Sequence, residues 1–196
     1  MKRKCVFFRV DSGNVLGVGH LNRCLILADE FKMENFEVHF ICQNLEGNLI
    51  KNIRKCGFKI HQIRNSNDTI TNDFQKTKQI LEKFQDRISC LVIDNYRWNK
   101  KYEGKLRSMI KCIFIIDDLA NRKHDCDILL DQNLYTNFEK RYEKLVSKKC
   151  MLLLGPKYIL LRKEFFSCKK RKKIEKLKKI FISFGGQDCS NQSIKV

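Results

Sequence analysis

CVFFRVDSGNVLGVGHLNRCLILADEFKMENFEVHFIC, residues 5–42, reads as one complete strand, helix and strand. CVFFRV (5–10) and EVHFIC (37–42) are nearly continuous apolar runs, the pattern of strands buried on both faces rather than one. Between them, HLNRCLILADEFKMEN (20–35) places its apolar residues at helical spacing. The alternation continues outward. Further strands are expected at FKIHQI (58–63), CLVIDN (90–95), CIFIID (112–117) and DILLD (127–131), with helices at 46–57, 71–86 and 100–111. Such alternation predicts an α/β fold in which helices wrap a parallel sheet. Right-handed crossovers then gather the functional loops at the carboxyl ends of the strands.

After Asp131 the pattern loosens through a stretch that holds the only proline, Pro156, and reads as the last elements of a first domain and its exit. A basic run, KKRKKIEKLKK (169–179), follows, and its plain reading is a solvated connector. KIFISFGGQDCSNQSIKV (179–196) then reads as a fresh strand, a glycine pair and the start of a helix. The expected organisation is a Rossmann-like lobe over 1–157, a basic connector over 158–178, and at 179–196 the beginning of a second, truncated lobe.

Composition narrows the function classes. With 196 residues and 43% hydrophobic content, the chain suffices for one domain and a remainder too short to be another. A net charge of +18 attracts phosphate in any form, so a nucleic-acid-binding module is one reading. The excess lysines are spread along the chain, however, and no recognisable nucleic-acid motif accompanies them. The ten cysteines are scattered, several within apolar runs, and form no CxxC pair. Reduced, buried thiols are expected rather than disulfides, and no metal site or cofactor is expected. No run of about 18 apolar residues occurs, and Asp11 interrupts the amino-terminal apolar run before a signal-peptide core can form. A cytoplasmic protein without a membrane partner is the expectation.

The loop after the first strand, DSGNVLGVG (11–19), has glycines at 13, 17 and 19 and feeds a helix beginning near His20. Exposed amides at a helix amino terminus favour an anion, although the glycines do not fall in GxGxxG order and no P-loop lysine follows. In GVGHLNR (17–23), His20 stands at the loop-to-helix junction, with Arg23 nearly one turn on, on much the same face. The positive end of a helix favours a neutral imidazole, the form able to take a proton from water; a histidine that merely caps the helix is the alternative. His39 and His61 lie within strand runs and read as structural, and His124, in NRKHDCD, as a solvated loop residue. Asp11 and Ser12, Asp94 with Asn95 and Tyr96, and Asp117 with Asp118 all fall at strand ends, where they either orient His20 and hold substrate or cap the next element. Arg162 in ILLRKEFF suits a phosphate contact or a surface ion pair. Gly185 and Gly186 in ISFGGQD suit close approach of a diphosphate or a plain tight turn.

Taken in order, FFRVDSGNVLGVGHLNRCLILA, LVIDNY, IDD, DILLDQNLY, LLRKEFF and FISFGGQD resemble the UDP-2,4-diacetamido-2,4,6-trideoxy-β-L-altropyranose hydrolase family of pseudaminic acid biosynthesis, in its N-terminal part. The resemblance implies a two-lobed fold of the glycosyltransferase-B type. It also implies metal-independent cleavage of a UDP-sugar at the anomeric carbon, with inversion. His20 then matches the proposed base for the attacking water. Asp11, Tyr96 and Arg162 match positions lining the sugar side or the cleft, and Gly185 and Gly186 match the start of the UDP-binding lobe. Ser12, Gly19 and Arg23 join them as substrate-binding candidates. A glycosyltransferase of the same architecture, using a UDP-sugar and an acceptor, is the competing reading.

Overall fold

The computed structural model describes residues 3–14, 16, 18–64, 69–167, 179–182 and 191–196. Seven strands form one sheet in the order β3-β2-β1-β4-β5-β6-β7. They are β1 (Cys5–Val10), β2 (Glu37–Gln43), β3 (Lys59–Ile63), β4 (Ile88–Asp94), β5 (Ile113–Ile116), β6 (Ile128–Asp131) and β7 (Met151–Leu154). Every neighbouring pair is parallel. Helices α1 (Gly19–Met33), α2 (Ile50–Lys55), α3 (Ile70–Glu82) and α4 (Lys100–Gly104) occupy the connections. This is the Rossmann-like α/β lobe that the alternation predicts.

The continuous apolar runs are explained by two cores, one on each face of the sheet. Val6, Phe8 and Val10 of β1 pack with Leu21, Cys24 and Ala28 of α1 and with Ile50 and Ile53 of α2. Cys5 and Phe7, on the other face, pack with Phe74 and Leu81 of α3 and with Trp98 and Tyr102. With both faces covered, a strand has no solvent side and its hydrophobic residues need not alternate.

Several boundaries differ from the sequence reading, each for a local reason. The helix expected from residue 46 starts at Ile50, because Gly47 takes a positive φ of 69° and a Cβ there would fall 1.8 Å from Asn14 Oδ1. The helix expected over 100–111 stops at Gly104. Beyond it, Arg107 reaches Asp125 (2.9 Å) and Asp127 (2.6 Å), drawing the chain into turns while Leu106 and Ile110 stay buried. Strand β7 is unforeseen, since four apolar residues among lysines carry little pattern. Residues 179–182, where a fresh strand is expected, pair with no strand among the described residues, and Phe181 is exposed. Gln192–Lys195 forms a short helix, α5. The run 168–178 and the glycine-pair turn at 183–190 lie outside the described residues.

Candidate active site

Strand order reverses direction between β1 and β4. The loops leaving these two strands must diverge there, which opens a crevice at the carboxyl end of the sheet. A cleft of about 400 Å³ occupies that position. Asp11, Gly13, Asn14 and Leu16 line it after β1, Gln43, Leu45 and Glu46 after β2, and Asp94, Asn95, Tyr96 and Arg97 at the end of β4, with His20 from α1 completing the wall. Residues 12–14 are held against the segment that follows β2. Gly13 packs so close to the chain that a Cβ would lie 2.9 Å from Glu46 O, and Asn14 N donates to that same oxygen at 3.0 Å. Ser12 Oγ accepts from Leu49 N (3.0 Å), tying the β1 loop to the start of α2, so its hydroxyl is already engaged.

The reactive arrangement is built around Asp94, whose side chain is fully buried at the end of β4. Arg23 donates to it from Nε (2.5 Å to Oδ2) and Nη2 (2.6 Å to Oδ1), and Cys24 Sγ donates to Oδ2 at 3.6 Å. Burial keeps the Cys24 thiol well above its usual pKa, so it remains a donor. His20 Nδ1 lies 2.6 Å from Asp94 Oδ1. A carboxylate only accepts, so the contact assigns the ring proton to Nδ1 and leaves Nε2 as the basic nitrogen. Arg23 Nη2 is also 3.0 Å from Nδ1. With both atoms carrying hydrogens, that approach reflects two donors sharing one oxygen rather than a bond between them.

Tyr96 and Asp118 close the arrangement. The Tyr96 ring meets His20 edge-on, with centroids 4.7 Å apart, and its hydroxyl donates to Asp118 Oδ1 at 2.7 Å. Arg23 Nη1 donates to Asp118 Oδ2 at 3.0 Å. Burial opposes ionisation of Asp118, but the Tyr96 hydroxyl and the Arg23 guanidinium outweigh it and hold its carboxyl below the ordinary range. Burial and the bond to Asp118 together push the Tyr96 hydroxyl up, which keeps it a donor. The Arg23 guanidinium is raised too: burial opposes this, and Asp94 and Asp118 outweigh burial.

Asp11, Ser12, Gly19, His20, Arg23 and Tyr96 thus gather at one rim. Asp11 lines the cleft, but its oxygens accept from Arg9 (2.6 and 2.8 Å), from Gln43 N (2.7 Å) and from Asn95 Nδ2 (2.9 Å). It is a brace for the floor. Gly19 opens α1, and a Cβ there would meet nothing within 4 Å, so there is open space beside the start of the helix. Arg162 is elsewhere, in a separate groove against Glu30 and Met33 of α1. Gly185 and Gly186 lie outside the described residues. Of the carboxylates that the sequence reading left undecided, Asp94 bonds His20 directly, and Asp118 reaches it only through Arg23 and Tyr96. Asp117 instead accepts from the buried Tyr142 hydroxyl at 2.9 Å, with Arg122 Nη1 at 2.7 Å as an ion-pair contact.

The other histidines are structural. His39 is buried, stacks on Phe7 and His61, and is pushed down to about 4 by burial and by His61. His124 is not the solvated loop residue expected: it is buried and its Nδ1 bonds Glu103 Oε1 at 2.8 Å. A carboxylate on the neighbouring helix supplies the partner that a loop sequence does not reveal.

Compared with known proteins, the chain is 34% identical over 193 residues to the UDP-2,4-diacetamido-2,4,6-trideoxy-beta-L-altropyranose hydrolase of Campylobacter jejuni, across 97% of this chain and 64% of that one. The resemblance read from the sequence holds. An uncharacterized protein of Methanocaldococcus jannaschii is 28% identical over 194 residues, 95% of this chain and 38% of its own. The chain therefore spans less than two thirds of either relative. No family model matches. A glycosyltransferase from Rickettsia africae ESF-5 superposes with a TM-score of 0.45 at 13% identity, covering 74% of this chain and 35% of that one. Among the described residues, no helix is long and apolar enough to cross a membrane.

Proposed function

We propose that the chain carries the water-activating lobe of a nucleotide-sugar hydrolase, which cleaves a UDP-linked 2,4-diacetamido-2,4,6-trideoxy sugar at the anomeric carbon in pseudaminic acid biosynthesis. His20 Nε2 takes a proton from water as the water attacks the anomeric carbon, and UDP departs from the opposite face, inverting the centre. Asp94 fixes the ring tautomer and stabilises the imidazolium as it forms, while the buried Arg23 and Cys24 hold Asp94 in place. No metal is required in this scheme. The positive dipole end of α1 favours the negative charge that develops on the leaving diphosphate. Gly185 and Gly186, outside the described residues, are the proposed contacts for the UDP diphosphate.

The observation that carries this reading is the His20–Asp94 contact on the wall of the switch-point cleft. A general base of this kind contributes about 10²–10⁴-fold, and alignment of water and substrate contributes more. The test measures UDP release from UDP-2,4-diacetamido-2,4,6-trideoxy-β-L-altropyranose with no acceptor present. It uses the chain and, in parallel, the chain joined to the part of the Campylobacter jejuni hydrolase beyond the match. UDP and free sugar should form in the joined protein, and His20→Ala should abolish their release with UDP affinity retained. Release that requires an acceptor identifies a glycosyltransferase, and a rate unchanged by His20→Ala overturns the role of His20.

A further inference from the structure

The amino ends of the strands, opposite the His20 cleft, gather cysteines that the proposed chemistry does not use. Cys126 lies just before β6 and Cys150 just before β7, and their Sγ atoms are 3.6 Å apart. Cys126 is buried and Cys150 is half-buried. The two backbones are already locked at ladder spacing, with Met151 N donating to Asp127 O at 2.8 Å and Ile128 paired with Met151. A disulfide needs sulfurs about 2.05 Å apart, so the remaining approach is a matter of side-chain rotation and a small shift of one strand. β7 is the outer strand, paired only with β6. It is therefore the strand freest to make that shift.

We propose that Cys126 and Cys150 are a peroxide-oxidisable dithiol, whose disulfide staples the edge strand β7 to β6. The roles follow from position. Cys150 is the more reachable of the two, and its contact with the Cys126 thiol lowers its pKa, with the Arg107 charge helping against burial and Asp127. That same contact, together with burial, raises Cys126. Cys150 is the attacking sulfur and Cys126 the resolving one. In the first step the Cys150 thiolate attacks a hydroperoxide oxygen: the S–O bond forms, the O–O bond breaks, and the departing hydroxide or alkoxide takes up a proton. In the second, the Cys126 sulfur displaces hydroxide from the Cys150 sulfenic acid, forming S–S and breaking S–O, and the thiol proton leaves with the hydroxide as water. With hydrogen peroxide, two thiols and one peroxide give one disulfide and two waters.

A second pair, Cys90 and Cys112, also shares a hydrogen bond between a buried and a half-buried thiol. Cys90 belongs to β4, an interior strand held by neighbours on both sides, which resists the shift that closure needs. The experiment treats the reduced, folded chain with one equivalent of hydrogen peroxide, then blocks free thiols and maps disulfides by peptide mass spectrometry. A Cys126–Cys150 peptide pair lighter by two hydrogens is expected, together with a higher urea midpoint for the oxidised chain. Cys126→Ser should leave Cys150 as a sulfenic acid that dimedone traps, and Cys150→Ser should give neither product at this site. Oxidation that bypasses Cys126 and Cys150, or a Cys126→Ser chain whose Cys150 is not trapped, overturns the proposal.

Discussion

Two arginine–aspartate clusters stand at the carboxyl end of the same sheet, one at the end of β1 and one at the end of β4. In the first, Arg9 is fully buried and uses its whole guanidinium internally: Nη1 and Nη2 donate to Asp11, and Nε (3.0 Å) and Nη2 (2.8 Å) donate to Asp73 on α3. Trp98 Nε1 donates to the other Asp73 oxygen at 3.1 Å. Nothing in this cluster is left to react. In the second, Arg23 grips Asp94 in the same two-pronged way, but one oxygen is shared with His20, whose side chain keeps 14% of its surface exposed. The chemistry is alike and the closure differs. A cluster whose polar groups are all engaged with one another fixes a fold, whereas one whose last member reaches solvent gives a rigidly held base. Buried ion pairs of this type add little net stability, but losing one partner is costly because a charge is left uncompensated.

The sharpest way to break the comparison is to alter the open cluster. Asp94→Asn removes the charge and leaves one acceptor oxygen for Arg23 to claim, so that an amide N–H faces His20 Nδ1 and disfavours its protonated tautomer; UDP release should fall by about 10²–10⁴-fold, read as a fall in kcat with KM little changed. If the rate survives, Asp94 does not support His20. The first cluster answers in stability. Arg9→Met leaves the buried Asp11 and Asp73 without their shared cation and should cost about 3–5 kcal/mol, read from urea unfolding. The smallest effect is expected at the rim: Tyr96→Phe removes one donor to Asp118 and should cost about 1 kcal/mol. It also carries a pH signature. The lowered pKa of Asp118 contributes stability that is present above its unfolded value and lost as the pH falls through the folded one. Without the Tyr96 donor that folded value rises, so acid unfolding should begin at higher pH.

The sheet was legible because burial on both faces writes a nearly continuous apolar run, as in CVFFRV and CLVIDN, and its shortness and β-branched and aromatic content separate it from a buried helix. β7 was not, since MLLL is too short to separate from its lysine-rich surroundings. His20 was visible from its place between a glycine loop and a helical run. Its partner was visible only as one of several strand-end carboxylates, because the choice of Asp94 over Asp117 depends on which strand lies beside β1, a fact of crossover rather than of local sequence. Of the first cluster only Asp11 was visible, as a strand-end carboxylate: Arg9 sits in an apolar strand, and Asp73 is 64 residues away from it on a helix, so nothing local joins them.

Asp94 holds His20, on the cleft wall, with its proton on Nδ1, which leaves Nε2 basic. Nitrogen-15 NMR of the histidine rings, with His20 assigned by a His20→Gln variant, reads this directly in the folded chain above the pH at which the ring charges. The expected result is a neutral His20 ring protonated at Nδ1 in the native chain, losing that preference in Asp94→Asn. A His20 ring protonated at Nε2, or one indifferent to Asp94→Asn, would contradict it.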